Sequence, residues 1–252
     1  MFCYNCGCHL SEHDFCTSCG ADVSLYKKIM CMSNRFYNDG LEKAGVRDLT
    51  GAINSLRQSL KFNKNNIEAR NLLGLVYFET GEVVAALSEW VISKNMRPEK
   101  NIADDYINML QSNAARLDAI NQTIKKYNQA LLYCRQNSTD LAIIQLRKVL
   151  SLNPKLVKGH QLLALLYMKE NKFEQAKKSL RAAMKIDSSN TITLRYMKET
   201  NQMLRSANSS KKKKKEDDLI SYKSGNDLII QPTKFKDTSG FATILTILLG
   251  VA

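Results

Sequence analysis

Apolar residues recur at intervals of three and four through most of the chain between residues 24 and 206, with polar residues in the intervening positions. This spacing is typical of amphipathic helices whose apolar faces pack together. The clearest stretch runs from Ile67 to Pro98 and has Gly81 near its middle, which predicts two antiparallel helices joined by a tight turn. The sequence has only 3 Pro and 11 Gly among 252 residues. Because both residues interrupt helices, their scarcity favours an all-helical body.

Particular residues in this stretch indicate which kind of helical hairpin it forms. In order, they are Leu73, Gly74, Tyr77, Gly81, Ala86, Trp90 and Pro98. In this spacing the stretch resembles one tetratricopeptide repeat, a helix–turn–helix unit of about 34 residues. The small Gly74 and Ala86 allow the two helices to approach closely, and Tyr77 and Trp90 fill the space between successive hairpins. One such unit cannot bury its apolar face alone, so the resemblance implies neighbouring repeats.

The same pattern occurs in four places. A shift of about 34 residues towards the amino terminus places Gly40 and Ala52 at the positions of Gly74 and Ala86, in a degenerate first repeat. Towards the carboxyl terminus, Pro98 is matched only by Pro154, and a further repeat ends at Ser188. This register leaves about 22 extra residues near 101–122. They carry their own helical spacing, and 112–113 is predicted to separate two helices. Residues 191–207 are predicted to form a terminal capping helix.

The chain begins with a cluster of cysteines. Cys3 and Cys6, and then Cys16 and Cys19, form two copies of Cys-x-x-Cys-Gly. The two pairs resemble a short zinc ribbon, in which four thiolates hold one tetrahedral, structural zinc ion. Cys8, His9 and His13 lie between the pairs and are interpreted as bystanders. An alternative ligand set, or a redox-sensing thiol at Cys8, remains open.

The family resemblance also implies a partner-binding groove. In tetratricopeptide repeats the first helix of each unit lines the concave surface, chiefly at repeat positions 5, 9 and 12. The corresponding residues are Tyr37, Leu41, Asn71, Leu75, Phe78, Tyr127, Leu131, Gln161, Leu165 and Met168. A protein or peptide ligand is expected there, although the same side chains could instead pack inside the array. The Lys and Asn clamp of chaperone-tail receptors is absent, since Tyr37 and Leu41 occupy those positions.

Charge and chemistry narrow the function. The formal net charge is +13, which suggests nucleic acid or an anionic membrane surface as a partner. No nucleic-acid recognition motif accompanies the basic residues, and residues 1–26 contain no Lys or Arg. The histidines are His9, His13 and His160, and none belongs to a recognisable catalytic constellation. The sequence therefore predicts a protein that is not an enzyme.

The carboxyl-terminal part has a different composition. A run of lysines followed by acidic residues predicts a disordered charged linker over 207–239. The uncharged run 240–252 is rich in Ile and Leu. As a helix it would reach only about 20 Å of the roughly 30 Å that a bilayer core requires, so it is predicted to be the start of a transmembrane helix. The basic residues before it predict that the preceding domains face the cytoplasm. The alternative is a short apolar tail that docks on the helices.

The expected fold is all-α: a zinc ribbon (1–23), a helical solenoid of tetratricopeptide repeats with a capping helix (24–206), the linker (207–239) and the membrane segment (240–252). This combination resembles bacterial membrane-anchored proteins that join a ribbon to such repeats. The expected function is a non-catalytic, membrane-tethered adaptor for protein–protein interaction, located at the cell membrane. A nucleic-acid-binding regulator and a metal- or redox-responsive sensor are the alternatives.

Overall fold

A computed structural model describes residues 1–217, 219–224 and 227–232, with side chains described as far as residue 207. The chain divides into one compact unit, Met1–Thr200, and a second that starts at Asn201. The described residues form ten helices and one strand pair. The helices are α1 (Ser24–Gly45), α2 (Leu49–Phe62), α3 (Ile67–Glu79), α4 (Val83–Met96), α5 (Ala103–Gln111), α6 (Ala114–Arg135), α7 (Thr139–Leu152), α8 (Val157–Lys169), α9 (Phe173–Ile186) and α10 (Thr191–Asp217).

Short polar side chains mark where several helices begin. The carboxylate of Asp48 accepts a hydrogen bond from the backbone N–H of Gly51 at the start of α2. Asn113 accepts in the same way from the N–H of Arg116 at the start of α6. These caps satisfy N–H groups that have no partner within the helix. The break predicted at 112–113 is confirmed, because α5 ends at Gln111 and α6 starts directly after Asn113.

Glycines bring paired helices close together in the first two repeats. A Cβ added at Gly40 would lie 2.7 Å from Cγ of Leu56, and one added at Gly74 would overlap the indole of Trp90. Trp90 is fully buried, and its Nε1–H donates to the carbonyl oxygen of Asn71 at 3.2 Å. The close approach predicted at Gly74 is thus confirmed, and the degenerate first repeat packs in the same way at Gly40.

The helices of the first unit fall into two matching sets. Helices α1 to α4 have 22, 14, 13 and 14 residues, and α6 to α9 have the same lengths in the same order. Every start in the second set follows its counterpart at the same interval: Ser24 and Ala114, Leu49 and Thr139, Ile67 and Val157, Val83 and Phe173. We call α1–α5 the first half and α6 to Thr200 the second half. Each half therefore contains two repeats followed by a closing helix.

Each half has its own hydrophobic core. Leu56, Leu73 and Trp90 lie at the centre of the first, and Leu110 of α5 closes it. The core of the second half contains Leu146, Leu163, Leu180, Ala164 and Tyr167. The start of α10 closes this core, since Tyr196 and Met197 pack against it. The capping helix predicted from residue 191 is confirmed.

The two halves also contact each other, and they do so through loops. The turn between α1 and α2 meets the loop between α9 and α10, where the backbone N–H of Ser188 donates to the carbonyl of Arg47 at 3.1 Å. The turn between α3 and α4 meets the loop between α7 and α8, where the N–H of Val157 donates to the carbonyl of Thr80 at 3.2 Å. The array therefore doubles back on itself, an arrangement that no sequence pattern predicted.

A buried carboxylate makes several hydrogen bonds in the contact between the α1–α2 turn and the α9–α10 loop. Asp187, at the end of α9, is 1% exposed. Its side chain accepts from the backbone N–H of Leu49 at 3.0 Å and from the hydroxyl of Thr50 at 2.5 Å. It also accepts from the side-chain amide of Asn190 at 3.1 Å. A residue of the second half thus caps helix α2 of the first.

The carboxyl-terminal residues extend the predicted secondary structure. Helix α10 continues to Asp217, beyond the end of the solenoid expected at 206. Strands β1 (Leu219–Ser224) and β2 (Asp227–Pro232) pair antiparallel. Part of the segment predicted as a disordered linker therefore has regular structure. The predicted membrane segment at 240–252 lies outside the described residues, and no helix within them has the length and apolar character needed to cross a membrane.

Candidate functional site

The amino-terminal segment folds as two similar knuckles. An isolated bridge pairs Phe2 with His9, and a second pairs Phe15 with Asp22. Gly7 and Gly20 follow the second cysteine of each pair and have φ of 71° and 72°. This left-handed conformation favours glycine, because a Cβ there would be strained. The Cys-x-x-Cys-Gly pattern thus accounts for the local fold.

The knuckles bring the four predicted ligands together. The sulfur atoms of Cys3, Cys6, Cys16 and Cys19 all lie within 4.8 Å of one another. The Cys3–Cys19 distance is 3.8 Å and the Cys6–Cys16 distance is 3.6 Å. Zinc–sulfur bonds of about 2.3 Å in a tetrahedron separate the sulfurs by about 3.8 Å. The spacing of the four sulfurs is therefore close to that of a tetrahedral zinc site.

Hydrogen bonds to the sulfurs favour their thiolate forms at two of the four positions. The backbone N–H of Ala21 and the side-chain amide of Asn5 lower the pKa of Cys19 to about 6. The backbone N–H of Ser18 lowers the pKa of Cys16. Because only the thiolate binds metal, these donors prepare the site for a cation.

Cys6 differs from these two. The backbone N–H of Cys8 lowers its pKa, but the neighbouring sulfurs, above all that of Cys19, outweigh this donor and raise it. Cys6 thus favours its protonated form beside the other cysteines. A zinc ion would displace this proton, so metal binding is expected to weaken as the pH falls.

The ribbon is seated on the first helix. Val23 is fully buried and packs with Leu10, Cys3 and Cys16, and Tyr26 of α1 covers this small core. Lys27 anchors the loop between the knuckles by donating to the backbone carbonyls of residues 11 and 13, at 2.5 Å and 2.6 Å. The first turn of α1 therefore forms part of the cysteine site.

The side chains of the three residues interpreted as bystanders are not part of the sulfur cluster. Cys8 is exposed. The ring of His9 packs edge-on against Phe2, and the ring of His13 stacks on Phe15 with centroids 5.3 Å apart. Among the described residues, the ligand cluster that contains the four cysteines includes none of these three.

The residues predicted to line the groove occupy varied environments. Tyr37, Leu75 and Phe78 pack against the core of the first half, and Tyr127 and Met168 pack against that of the second. Partly exposed positions are Leu131, Gln161 and Leu165. Leu41 is the most accessible apolar member, with 48% of its surface exposed.

Two of the predicted groove residues have a role inside the fold. Asn71 is buried, and its amide donates to Oδ1 of Asn101 just before α5 at 2.9 Å. Gln161 donates to Oδ1 of Asn190 just before α10, also at 2.9 Å. Each amide thus fixes the closing helix of its half. The matching asparagines before the two closing helices were the sequence signal for this role.

The comparisons with known proteins identify the repeats. A TPR repeat model matches residues 48–81, which cover α2 and α3, and a tetratricopeptide repeat model matches residues 157–190, which cover α8 and α9. The chain therefore contains tetratricopeptide repeats and forms an α-helical solenoid of this kind. The comparison with curated proteins gave no match.

Solved structures show more distant similarity. The Cut9–Hcn1 hetero-tetramer of APC/C is 18% identical with a TM-score of 0.32, and the match covers 67% of this chain and 30% of that one. The TPR domain of P58(IPK) is 19% identical with a TM-score of 0.39, and the match covers 71% of this chain and 57% of that one. MamA is 16% identical with a TM-score of 0.30, and the match covers 76% of this chain and 98% of that one. The chain thus spans about a third and somewhat over half of the first two proteins.

Proposed function

We propose that this protein is a non-catalytic adaptor that binds a partner protein through its repeats and holds one structural zinc ion in its amino-terminal ribbon. The observation that carries the proposal is the pair of tetratricopeptide repeat matches on an α-helical array. Repeats of this kind are generally scaffolds for protein or peptide partners rather than enzymes. Stacked repeats also present extended surfaces that suit this role.

The ribbon supports the zinc part of the proposal. A segment this small cannot bury enough apolar surface to fold alone, so a metal would supply its folding energy. Four cysteines complete the tetrahedral shell, which is typical of structural rather than catalytic zinc. Because Val23 and Tyr26 join the ribbon to α1, zinc would also order the start of the repeat array.

Leu41 offers the most direct test of the repeat surface. Because its side chain is half exposed, Leu41→Asp is expected to leave the fold intact while introducing a charge into the proposed partner surface. Leu132→Asp is a matched control on α6, since Leu132 is 50% exposed but lies outside the predicted groove. Partners are first captured by crosslinking with the wild-type protein and identified by mass spectrometry.

Loss of the identified partner with Leu41→Asp, but not with Leu132→Asp, would support the groove, provided that both variants melt like the wild type. Equal capture by all three proteins would refute it. A lowered melting temperature for Leu41→Asp alone would mean that this leucine is an internal packing residue.

The adaptor is further proposed to be tethered to the cell membrane. This proposal rests on the uncharged run 240–252 and on the basic residues before it, which favour a cytoplasmic location for the ribbon and repeats. The protein in cells should then resist extraction by high salt and carbonate. Recovery in the soluble fraction would contradict the tether and would leave the repeat proposal unaffected.

A further inference from the structure

A cavity of about 670 Å³ lies where the two halves meet. Its wall combines the turn between α3 and α4, the junction of α5 with α6, the first half of α6, and the loop between α7 and α8. The doubling back of the array brings these four elements together. The cavity is therefore a product of the fold reversal and not of a single repeat.

The wall of this cavity is mainly apolar. Its apolar members include Phe78, Val83, Leu110, Ile120, Ile124 and Leu156. Small-molecule pockets in proteins typically have about 300–1,000 Å³ and an apolar lining with a few placed polar groups. A helix is about 10–12 Å in diameter with its side chains, so this volume would enclose only about one turn of it. The size and lining therefore match a small organic molecule.

The wall of the cavity has more positive than negative side chains. Arg116, Lys155 and Lys158 contribute three cations, and Glu82 contributes the one carboxylate. Lys158 pairs with Glu82 at 2.7 Å, and Lys155 pairs with Glu79 at 2.9 Å. Two of the three cations are thus neutralised by neighbouring side chains.

Arg116 is the remaining cation. Within the part of the chain that the structure describes, it has no carboxylate partner. Its guanidinium lies 6.0 Å from the ring centre of Phe78, on the apolar wall, and makes a long 3.4 Å hydrogen bond to the carbonyl of Met109. Arg116 itself is exposed, so its charge stands at the boundary between the apolar wall and water. An anionic group placed there would be attracted while an attached apolar chain was buried.

We propose that this cavity binds an amphiphilic carboxylate, with its hydrocarbon chain against Phe78 and Ile120 and its carboxylate paired with Arg116. Guanidinium and carboxylate groups form strong, charge-assisted hydrogen bonds of complementary geometry. Burial of the chain supplies most of the affinity, and the ion pair selects the anion. This ligand goes beyond the proposed adaptor function and is tested without a partner protein.

The test is calorimetric titration of the purified full chain with dodecanoate and with dodecyltrimethylammonium, both below their micelle concentrations. The two probes share the alkyl chain and differ in the charge of the head group. Dodecanoate should bind with one molecule per chain and at least about tenfold more tightly than the cation, as expected for a charge-assisted pair. Equal affinities, or no binding of dodecanoate, would overturn the proposal.

Three variants locate the site. Arg116→Gln should weaken dodecanoate binding about tenfold and should not weaken binding of the cation, which the arginine repels. Ala119→Trp places a large side chain in the cavity and should abolish binding of both probes. Arg135→Gln is the matched control, an exposed arginine of the same helix outside the cavity wall, and should bind like the wild type.

Circular dichroism melts check that each variant is folded. If Ala119→Trp fails to fold, the comparison of Arg116→Gln with Arg135→Gln still decides the matter. Unchanged dodecanoate affinity in a folded Arg116→Gln, or in a folded Ala119→Trp, would place the probe elsewhere on the chain and refute the proposed site.

Discussion

Gly81 is the residue at which the contact between the halves is most sensitive to substitution. It occupies the turn between α3 and α4 with φ of 79°. A Cβ built on it would lie 2.6 Å from both the Cα and the backbone nitrogen of Leu156 in the opposite half. Because backbone atoms cannot rotate away as a side chain can, any Cβ at this position forces the two loops apart.

The substitution Gly81→Asn separates this clash from the backbone conformation, since asparagine tolerates positive φ better than other residues with a side chain. Separation of the loops breaks two hydrogen bonds: from the Asn153 amide to the Gly81 carbonyl, at 2.8 Å, and from the Val157 N–H to the Thr80 carbonyl, at 3.2 Å. At about 1 kcal/mol each, their loss predicts a destabilisation of roughly 2 kcal/mol. The ion pairs of Lys155 and Lys158 are solvent-exposed and add little.

A natural control exists in the second half. Asn171 occupies the counterpart of Gly81, with φ of 58°, and is exposed. Asn171→Gly exchanges the same two residue types in the opposite direction, without a contact to break. Its effect on the unfolding free energy should stay within about 0.5 kcal/mol, as for surface substitutions in general.

Urea unfolding followed by circular dichroism gives the two free energies, and small-angle X-ray scattering reports the separation of the halves. Gly81→Asn should lower the unfolding free energy and increase the radius of gyration, and Asn171→Gly should do neither. An unfolding curve and a scattering profile of Gly81→Asn that both match the wild type would show that the loops do not approach each other as described.

Three further outcomes are expected. The purified protein should carry one zinc ion per chain by elemental analysis, and Cys3→Ser should lose it while the helical signal of the repeats persists; retained stoichiometric zinc would exclude the site. Asp187→Ala should lower the unfolding free energy measured in urea by about 2 kcal/mol, because it leaves N–H groups of α2 unpaired. Asp140→Ala, at an exposed position of α7, is the control and should change the unfolding free energy by less than about 0.5 kcal/mol. Zinc retention should weaken as the pH is lowered from about 8 to about 5, because protons compete with the metal for the thiolates, first at Cys6, whose pKa is raised; a zinc content that stays constant over this range would contradict this.

Periodic features of the sequence predicted much of the fold. The apolar spacing and the small residues at Gly40 and Gly74 identified the paired helices, and the polar dipeptide at 112–113 located a helix break. The cysteine pairs predicted the convergence of four sulfurs. Each of these features acts over a few residues or repeats at a regular interval, so the sequence displays it directly.

The contact between the halves could not be predicted in this way. It depends on single residues far apart in the chain, such as Asp187 with Leu49, and one aspartate among many carries no sign of its distant partner. Helix lengths account for part of the extra residues before the third repeat: α6 is as long as α1, so its first turns have a counterpart at the start of α1. The roles of Asn71 and Gln161 were not predicted, because the matching asparagines before the closing helices become informative only once the fold places one beside each amide.

The way in which the halves meet bears on self-assembly. Turns of one half contact loops of the other, and such a contact between equivalent units is heterologous, so repetition from molecule to molecule would build a ring or an open fibre. At the turn of the second half, however, Asn171 places a Cβ where Gly81 leaves room, and at the end of α4 Arg97 stands at the counterpart of Asp187. The turn that accommodates the contact is thus present only in the first half, and the carboxylate that caps α2 is present only in the second. The contact is satisfied within a single chain, and a side chain and a reversed charge oppose its propagation to a second molecule.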